Sequence, residues 1–236
     1  MSNRPILYIV VPCYNEQEVL PITSGMFLNQ LIGMIDSGKI ADASRILFID
    51  DGSVDDTWAL IERFTREDPH FSGHRLEQNC GHQRALLAGL MEARKTADIT
   101  ISIDCDGQDD IAAMGPMVDA YLEGCDVVYG VRNRRDTDSL FKRGTAHLYY
   151  KLLRLLGANI IFDHADYRLL SVKALDGLDG LELDEENLFL RGVIPTLGYK
   201  STCVEYRRTE RLAGKTKYSI GKMLKLAVNG VCNLKK

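Results

Sequence analysis

The stretch "ISIDCDGQDD", Ile101–Asp110, puts the four carboxylates of Asp104, Asp106, Asp109 and Asp110 directly after an apolar run that ends at Ile103. Strands buried on both faces read as continuous apolar runs, and in open α/β sheets ligands bind beyond the carboxyl ends of such strands. The fold therefore turns on whether Ile99–Asp104 is a buried strand whose end has been made acidic for a ligand.

Similar runs occur at Ile6–Val11, Arg45–Asp50 and Cys125–Val131, with a weaker one over Phe71–Glu77. Between them, helix-period segments cover Glu16–Ile35, Asp56–Arg66, His82–Lys95 and Ala112–Glu123. This alternation predicts an α/β protein, an open and mostly parallel sheet flanked by helices. The second half is less regular. It predicts a long helix over Ser139–Leu156, a turn at "FDHADYR" (Phe162–Arg168), a helix near Leu188–Leu197 and a strand at "KSTCVEYRR" (Lys200–Arg208). No internal repeat or low-complexity linker divides the chain.

With 236 residues and 45% hydrophobic composition the chain can build one large domain. A formal net charge of −4 gives no global attraction to nucleic acid or anionic lipid, so affinity for phosphate must come from local clusters. The six cysteines are scattered, without CxxC or zinc spacing, as expected of reduced thiols in a cytosolic compartment. The apolar run Ile6–Val11 is too short for a signal peptide or membrane span, and no later segment reaches the ~20 apolar residues a spanning helix needs.

The residues after each strand carry the chemistry. Asp109 and Asp110 are accounted for by a turn and a helix start, where acidic groups complement the macrodipole. Asp104 and Asp106 are not, because two carboxylates two apart in extended chain cannot both enter a core unpartnered. A divalent cation is the simplest partner. An EF-hand loop is excluded, since Gly107 falls at position four and Met114, Gly115 and Pro116 occupy the far end. A Mg2+ or Mn2+ ion held by few protein oxygens and completed by substrate phosphates fits better. In "DDGSVDDT", Asp55 or Asp56 can cap the next helix, which leaves Asp50 and Asp51 to accept hydrogen bonds from a nucleobase or ribose. Neither GxGxxG nor GxxxxGK[ST] is present. His82, near a helix start, reads as a capping or packing residue.

Together, "VVPCYNEQEVL", "DDGSVDDT" and "DCDGQ" resemble the opening loop, second loop and DxD motif of the family 2 glycosyltransferases, over nearly the whole chain. The later segments "GVRNRRD", "FKR", "DYRLLS", "FLRG" and "RLAGKTKYS" resemble the polyprenyl-phosphate subgroup, which includes bactoprenol glucosyltransferases and dolichyl-phosphate mannose synthases. The resemblance implies a GT-A nucleotide-sugar-binding fold. It implies that Pro12, Tyr14, Glu16, Asp50 and Asp51 meet the nucleotide, and that Asp104, Asp106 and Gln108 hold the metal against the diphosphate. One departure is "DCDGQDD" where relatives often show DxDLQxPP, which removes a stiffening proline pair.

The same resemblance assigns Arg132 and Arg143 to the phosphate of a lipid acceptor and gives Asp166 a catalytic position. A phosphate monoester is largely a dianion at neutral pH, so Asp166 is expected to orient substrate rather than abstract a proton; its plainer alternatives are a helix cap or a partner for Arg168. Arg211, Lys215 and Lys217 are implied to close over the diphosphate. The GT-A domain is expected over 1–217. Residues 218–236 follow as an amphipathic helix, suited equally to a membrane interface or to docking on the domain. The implied partners are a nucleotide sugar (UDP-glucose preferred), a polyprenyl phosphate and the cytoplasmic face of a membrane, with no nucleic acid; the oligomeric state stays open. The alternatives are a sugar-to-sugar transferase of polysaccharide synthesis, whose QxxRW signature lacks a match, the only tryptophan being Trp58, and a catalytically silent nucleotide-binding module, against which the intact Asp104 and Asp106 argue.

Overall fold

In a computed structural model, the structure describes residues 4–132, 164–183 and 188–209. The chain runs β1 (Leu7–Cys13), α1 (Leu20–Asp36), β2 (Arg45–Asp50), α2 (Thr57–Glu67), β3 (Phe71–Arg75), α3 (His82–Ala93), β4 (Ile99–Ser102), α4 (Met114–Leu122) and β5 (Val127–Arg132). After the first undescribed stretch come β6 (His164–Ser171), α5 (Val172–Asp179), α6 (Leu190–Thr196) and β7 (Ser201–Tyr206).

The strands form one sheet in the order β3-β2-β1-β4-β6-β5-β7. All neighbours are parallel except β6, which is antiparallel to both β4 and β5. Apolar side chains of β1, β2 and β4 are buried, as the runs predict, and two cores sandwich the sheet. On one face Phe27, Leu31, Ile61, Phe64, Met117 and Val118 pack from α1, α2 and α4. On the other, Leu86, Leu90, Leu175, Leu178, Leu190 and Ile194 pack from α3, α5 and α6.

The turn expected at Phe162–Arg168 is instead the start of β6 from His164 onward. Side chains alternate across a strand. Tyr167 and Leu169 enter the first core, while Leu170 enters the second with Asp166 and Arg168 on its side. The strand is hidden in the sequence because that buried face carries two opposite charges that neutralise each other. Helix α1 begins at Leu20 rather than Glu16, with Pro21 in its first turn, where its missing N–H is an unused donor anyway. The expected helix Ser139–Leu156 lies outside the described residues, as does the segment 218–236.

Candidate active site

The first two loops are laced together. Asn15 adopts a left-handed backbone (φ 51°), which asparagine tolerates. Its N–H donates to Ser53 Oγ (2.9 Å) and its Oδ1 accepts from Val54 N–H (2.9 Å). Glu16 N–H donates to Thr57 Oγ1 (2.8 Å). Pro12, Tyr14 and Glu16 are thus set beside Asp50 and Asp51, with Tyr14 exposed.

Asp50 and Asp51 are both buried, but only Asp51 has both oxygens hydrogen-bonded; among the described residues Asp50 Oδ2 accepts no hydrogen bond. Asp50 accepts from Ser53 N–H (3.2 Å) and faces Arg75 Nε (3.2 Å). Asp51 accepts from the N–H groups of Cys80 (2.7 Å) and Gly81 (3.0 Å) and from Asn79 Nδ2 (3.0 Å). It clasps the turn that opens α3. Gly52 makes this close approach feasible: its φ is +66°, and a Cβ there would sit 2.6 Å from Asn79 N and Gln78 C.

Because β6 is antiparallel, its beginning arrives at the same sheet edge as the carboxyl end of β4. Ser102 pairs with Arg168, and Ser102 Oγ donates to Asp166 O (2.5 Å). Asp166 consequently lies near Asp104, and His82 spans them, its Nε2 3.3 Å from Asp166 Oδ2 and 3.6 Å from Asp104 Oδ1. Arg191, in the first turn of α6, reaches Asp166 through Nε (3.2 Å) and a terminal nitrogen (2.9 Å). Arg168 also pairs with Asp166. Gln83 Nε2 completes the set at 3.1 Å.

The two carboxylates titrate in opposite directions. Burial raises Asp104, and the nearby Asp166, Asp109 and Asp106 raise it further against the pull of His82. Burial would raise Asp166 too, but Arg191, His82 and Arg168 outweigh it and hold the group well below the ordinary 3.8. His82 is lowered by burial and raised by Asp166 and Asp104, and the net direction is upward from 6.5. The site therefore favours an ionised Asp166 and a protonated His82. Ionised and strongly paired, Asp166 is suited to orientation and is a weak base. Its pairing with Arg168 coexists with its place in the site, and the helix cap belongs to Ser171, whose Oγ accepts from Ala174 N–H (3.1 Å).

In the DxD loop, Asp106 accepts from Gln108 N–H (3.0 Å). Asp110 caps the short helix that follows, accepting from Ala112 N–H (3.0 Å), as expected. Asp109 differs from expectation: it is buried and accepts from Tyr206 O–H (2.8 Å), with Arg132 3.6 Å away. Arg132 Nε also donates to the Tyr206 oxygen (3.2 Å). Past β7, Thr209 N–H donates to Gln108 O (2.9 Å) and Arg208 donates to Gln108 Oε1 (2.5 Å), strapping the chain across the loop. Arg143, Arg211, Lys215 and Lys217 lie outside the described residues.

Among the described residues, no group of three or more His, Cys, Asp or Glu side chains can hold a metal alone. Asp104 and Asp106 nonetheless fit Mg2+ or Mn2+, which need few protein oxygens when substrate phosphates supply the rest. Asp104 is raised first by burial and then by the nearby Asp166, Asp109 and Asp106, and a cation beside it would offset both. Gln108 fits only once Arg208 turns away from Oε1.

Sequence reasoning missed His82, Gln83 and Arg191 as members of one network. The signal was available for Arg191 in "FLRG" and for Arg168 in "DYRLLS", but nothing in spacing joins them to His82.

Solved structures with the same architecture define the class. Glucosyl-3-phosphoglycerate synthase from Mycobacterium tuberculosis superposes with a TM-score of 0.61 over 98% of this chain and 77% of its own, at 16% identity, in a complex with Mn2+, UDP and phosphoglyceric acid. S. aureus TarS with UDP-GlcNAc gives 0.60 over 97% and 66%, at 15% identity. The fold is that of the GT-A glycosyltransferases. The Glycosyl transferase family 2 model matches residues 8–178, and the chain belongs to that family. The uncharacterized glycosyltransferase YkoT of Bacillus subtilis (strain 168) is 48% identical over 98% of this chain and 68% of its own. A prophage bactoprenol glucosyl transferase homolog of Escherichia coli (strain K12) is 34% identical over 94% and 70%.

Proposed function

We propose that this glycosyltransferase moves glucose from UDP-glucose to a polyprenyl phosphate, with inversion, at the cytoplasmic face of a membrane. The observation that carries the reading is the meeting of Asp104 and the ionised, arginine-paired Asp166 on His82, at the sheet edge shared with the nucleotide loops. The similarity to bactoprenol glucosyl transferases supports the donor and the lipid acceptor. No helix among the described residues is long and apolar enough to cross a membrane.

In this reading Pro12, Tyr14, Glu16 and Asp50 frame the nucleotide, and Asp51 shapes the site by clasping the turn before α3. Asp104 and Asp106, joined by Gln108, would hold Mg2+ or Mn2+, which supplies positive charge at the leaving diphosphate. Arg211, Lys215 and Lys217 add to that charge. Arg132 and Arg143 receive the acceptor phosphate, arginine being suited to bidentate contact with its oxygens. The dianionic phosphate oxygen attacks the anomeric carbon from the face opposite UDP. The new carbon–oxygen bond forms as the bond to the β-phosphate breaks, and UDP departs with the electron pair. Asp166 takes no proton; it orients the sugar or acceptor.

The test is transfer of labelled glucose from UDP-glucose into an organic-extractable product with undecaprenyl phosphate and Mg2+. Transfer abolished by EDTA and by Asp106→Asn is expected. Absence of transfer with UDP-glucose, GDP-mannose and UDP-N-acetylglucosamine alike, lipid and detergent being present, would overturn the reading in favour of a silent nucleotide-binding module.

A further inference from the structure

Gln83, the second residue of α3, touches two separate elements through one carboxamide. Its Nε2 donates to Asp166 Oδ2 (3.1 Å) on β6, and its Oε1 accepts from Leu190 N–H (3.1 Å), the first residue of α6. Helix α6 has no side-chain cap of its own, since Phe189 occupies the N-cap. Leu190 N–H is one of the donors that helix geometry leaves without an intrahelical acceptor, and Gln83 satisfies it from across the sheet edge. The next residue is Arg191, which holds both oxygens of Asp166.

The orientation of this amide follows from its partners. Reversing it would set Oε1 against a carboxylate and Nε2 against an N–H, two repulsive contacts in place of two hydrogen bonds. A neutral fork with one donor arm and one acceptor arm is what the position demands, and a carboxamide of this length supplies it. Glutamate would keep the contact to Leu190 and repel Asp166. Methionine would fill the volume and lose both.

From this geometry we propose that Gln83 is a positioning residue for glycosyl transfer: it locks Asp166 and the first turn of α6 together, so that Asp166 and Arg191 hold one arrangement beside Asp104. The inference rests on the transferase reading above. It also gives the clasp of Asp51 on Asn79–Gly81 a use at a distance, because that turn sets where α3 begins and hence where Gln83 and His82 stand. Asp166 is buried and Arg191 half-exposed, so the pair forms a wall of the site, which Gln83 alone ties to both β6 and the first backbone N–H of α6 among the contacts described above. Displacement of a catalytic wall by about 1 Å can cost ~100-fold in rate without loss of binding.

The test compares wild type, Gln83→Met and Gln83→Glu in the full chain, with undecaprenyl phosphate, Mg2+ and varied UDP-glucose. Both variants should lose ~10-fold or more in kcat, with KM for UDP-glucose and UDP affinity by calorimetry each within ~3-fold of wild type. A second measurement reads the pairing without activity. Gln83→Glu/Asp166→Asn returns a carboxylate and a carboxamide to the network with their places exchanged, and should unfold at a higher temperature than Asp166→Asn alone. Unchanged kcat in both folded variants, or a rise in KM alone, would overturn the positioning role while leaving the transferase reading in place. A double variant no more stable than Asp166→Asn would overturn the pairing. A wild type inactive with every donor would overturn the transferase reading, and the positioning role with it.

Discussion

Two acidic loops stand at the carboxyl ends of the two parallel strands that flank β1, "DDGS" at the end of β2 and "DCDG" after β4, and the protein treats them in opposite ways. In the first, Asp51 is buried and its oxygens take two backbone N–H groups and an asparagine amide from the turn before α3. In the second, the Asp104 side chain is 31% exposed, meets His82 at 3.6 Å, and is pushed up in pKa by burial and its acidic neighbours. The first loop spends its negative charge on protein donors and gains shape. The second keeps its charge in surplus, and surplus charge at a sheet edge is what a cation and a diphosphate can use. Identical residue types are thus divided by how fully their acceptors are satisfied.

Asp166 is the extreme case of satisfaction, and replacing it should produce the largest effect on stability. Its loss would take from the buried Arg168 the carboxylate it pairs with, and breaking one side of a buried pair costs about 3–5 kcal/mol. Asp166→Asn is therefore expected to lose that much in urea unfolding at pH 7, besides losing transfer. Asp166 is depressed in the folded state, so its stabilisation is fully present above the ordinary 3.8 and is lost as pH falls through the lower folded value. The gap between wild type and variant should hold from neutral pH down to about 3.8, narrow as pH falls from there through the lower folded value, and be gone below it. A gap that stays constant to the acid limit would show that the carboxylate charge is not what holds the network.

The contrast between the two loops can be tested directly. Asp51→Asn weakens charge-assisted hydrogen bonds to two backbone N–H groups and should cost about 1–3 kcal/mol of stability. Asp104→Asn removes one of several mutually repelling carboxylates and should change stability by no more than about 0.5 kcal/mol. Transfer should nevertheless fall further for Asp104→Asn, by ~100-fold or more, as expected when a group facing developing charge is removed. Chemical unfolding beside initial rates checks both. Equal stability losses at the two positions would erase the distinction drawn between the loops.

Much of this was legible in the chain because buried parallel strands are written as apolar runs, and the runs at β1, β2 and β4 name their own carboxyl ends. The DxD loop was legible for the same reason. β6 was not: its inner face carries Asp166 and Arg168, so a strand buried on both sides reads as a polar turn. The family resemblance located Asp166 without its neighbours. His82 read as a capping or packing residue and nothing marked Gln83, because what gives them a role is the antiparallel insertion of β6 beside β4. The strap of Arg208 and Thr209 across the DxD loop depends on β7 lying next to β5, a pairing that no local pattern records.

That strap supplies the smallest of the expected effects and the sharpest probe of the third ligand. Arg208 donates to Gln108 Oε1 at 2.5 Å, the atom that resemblance assigns to the metal. If Gln108 joins Asp104 and Asp106, a cation must win that oxygen from a guanidinium. Arg208→Ala should then raise Mn2+ affinity by a few-fold, about 0.4–1 kcal/mol, measured by calorimetry in the absence of nucleotide. Deleting a positive charge near the site would by itself strengthen cation binding, so the gain must be divided. Gln108→Leu in both backgrounds does this through a double-mutant cycle. If the whole gain survives without Gln108, Arg208 acts only through its charge, and the metal is held by the two aspartates and the substrate. If the gain vanishes with Gln108, the strap and the cation compete for one oxygen. Metal loading would then pull on the chain that leads from β7 to Arg211, Lys215 and Lys217.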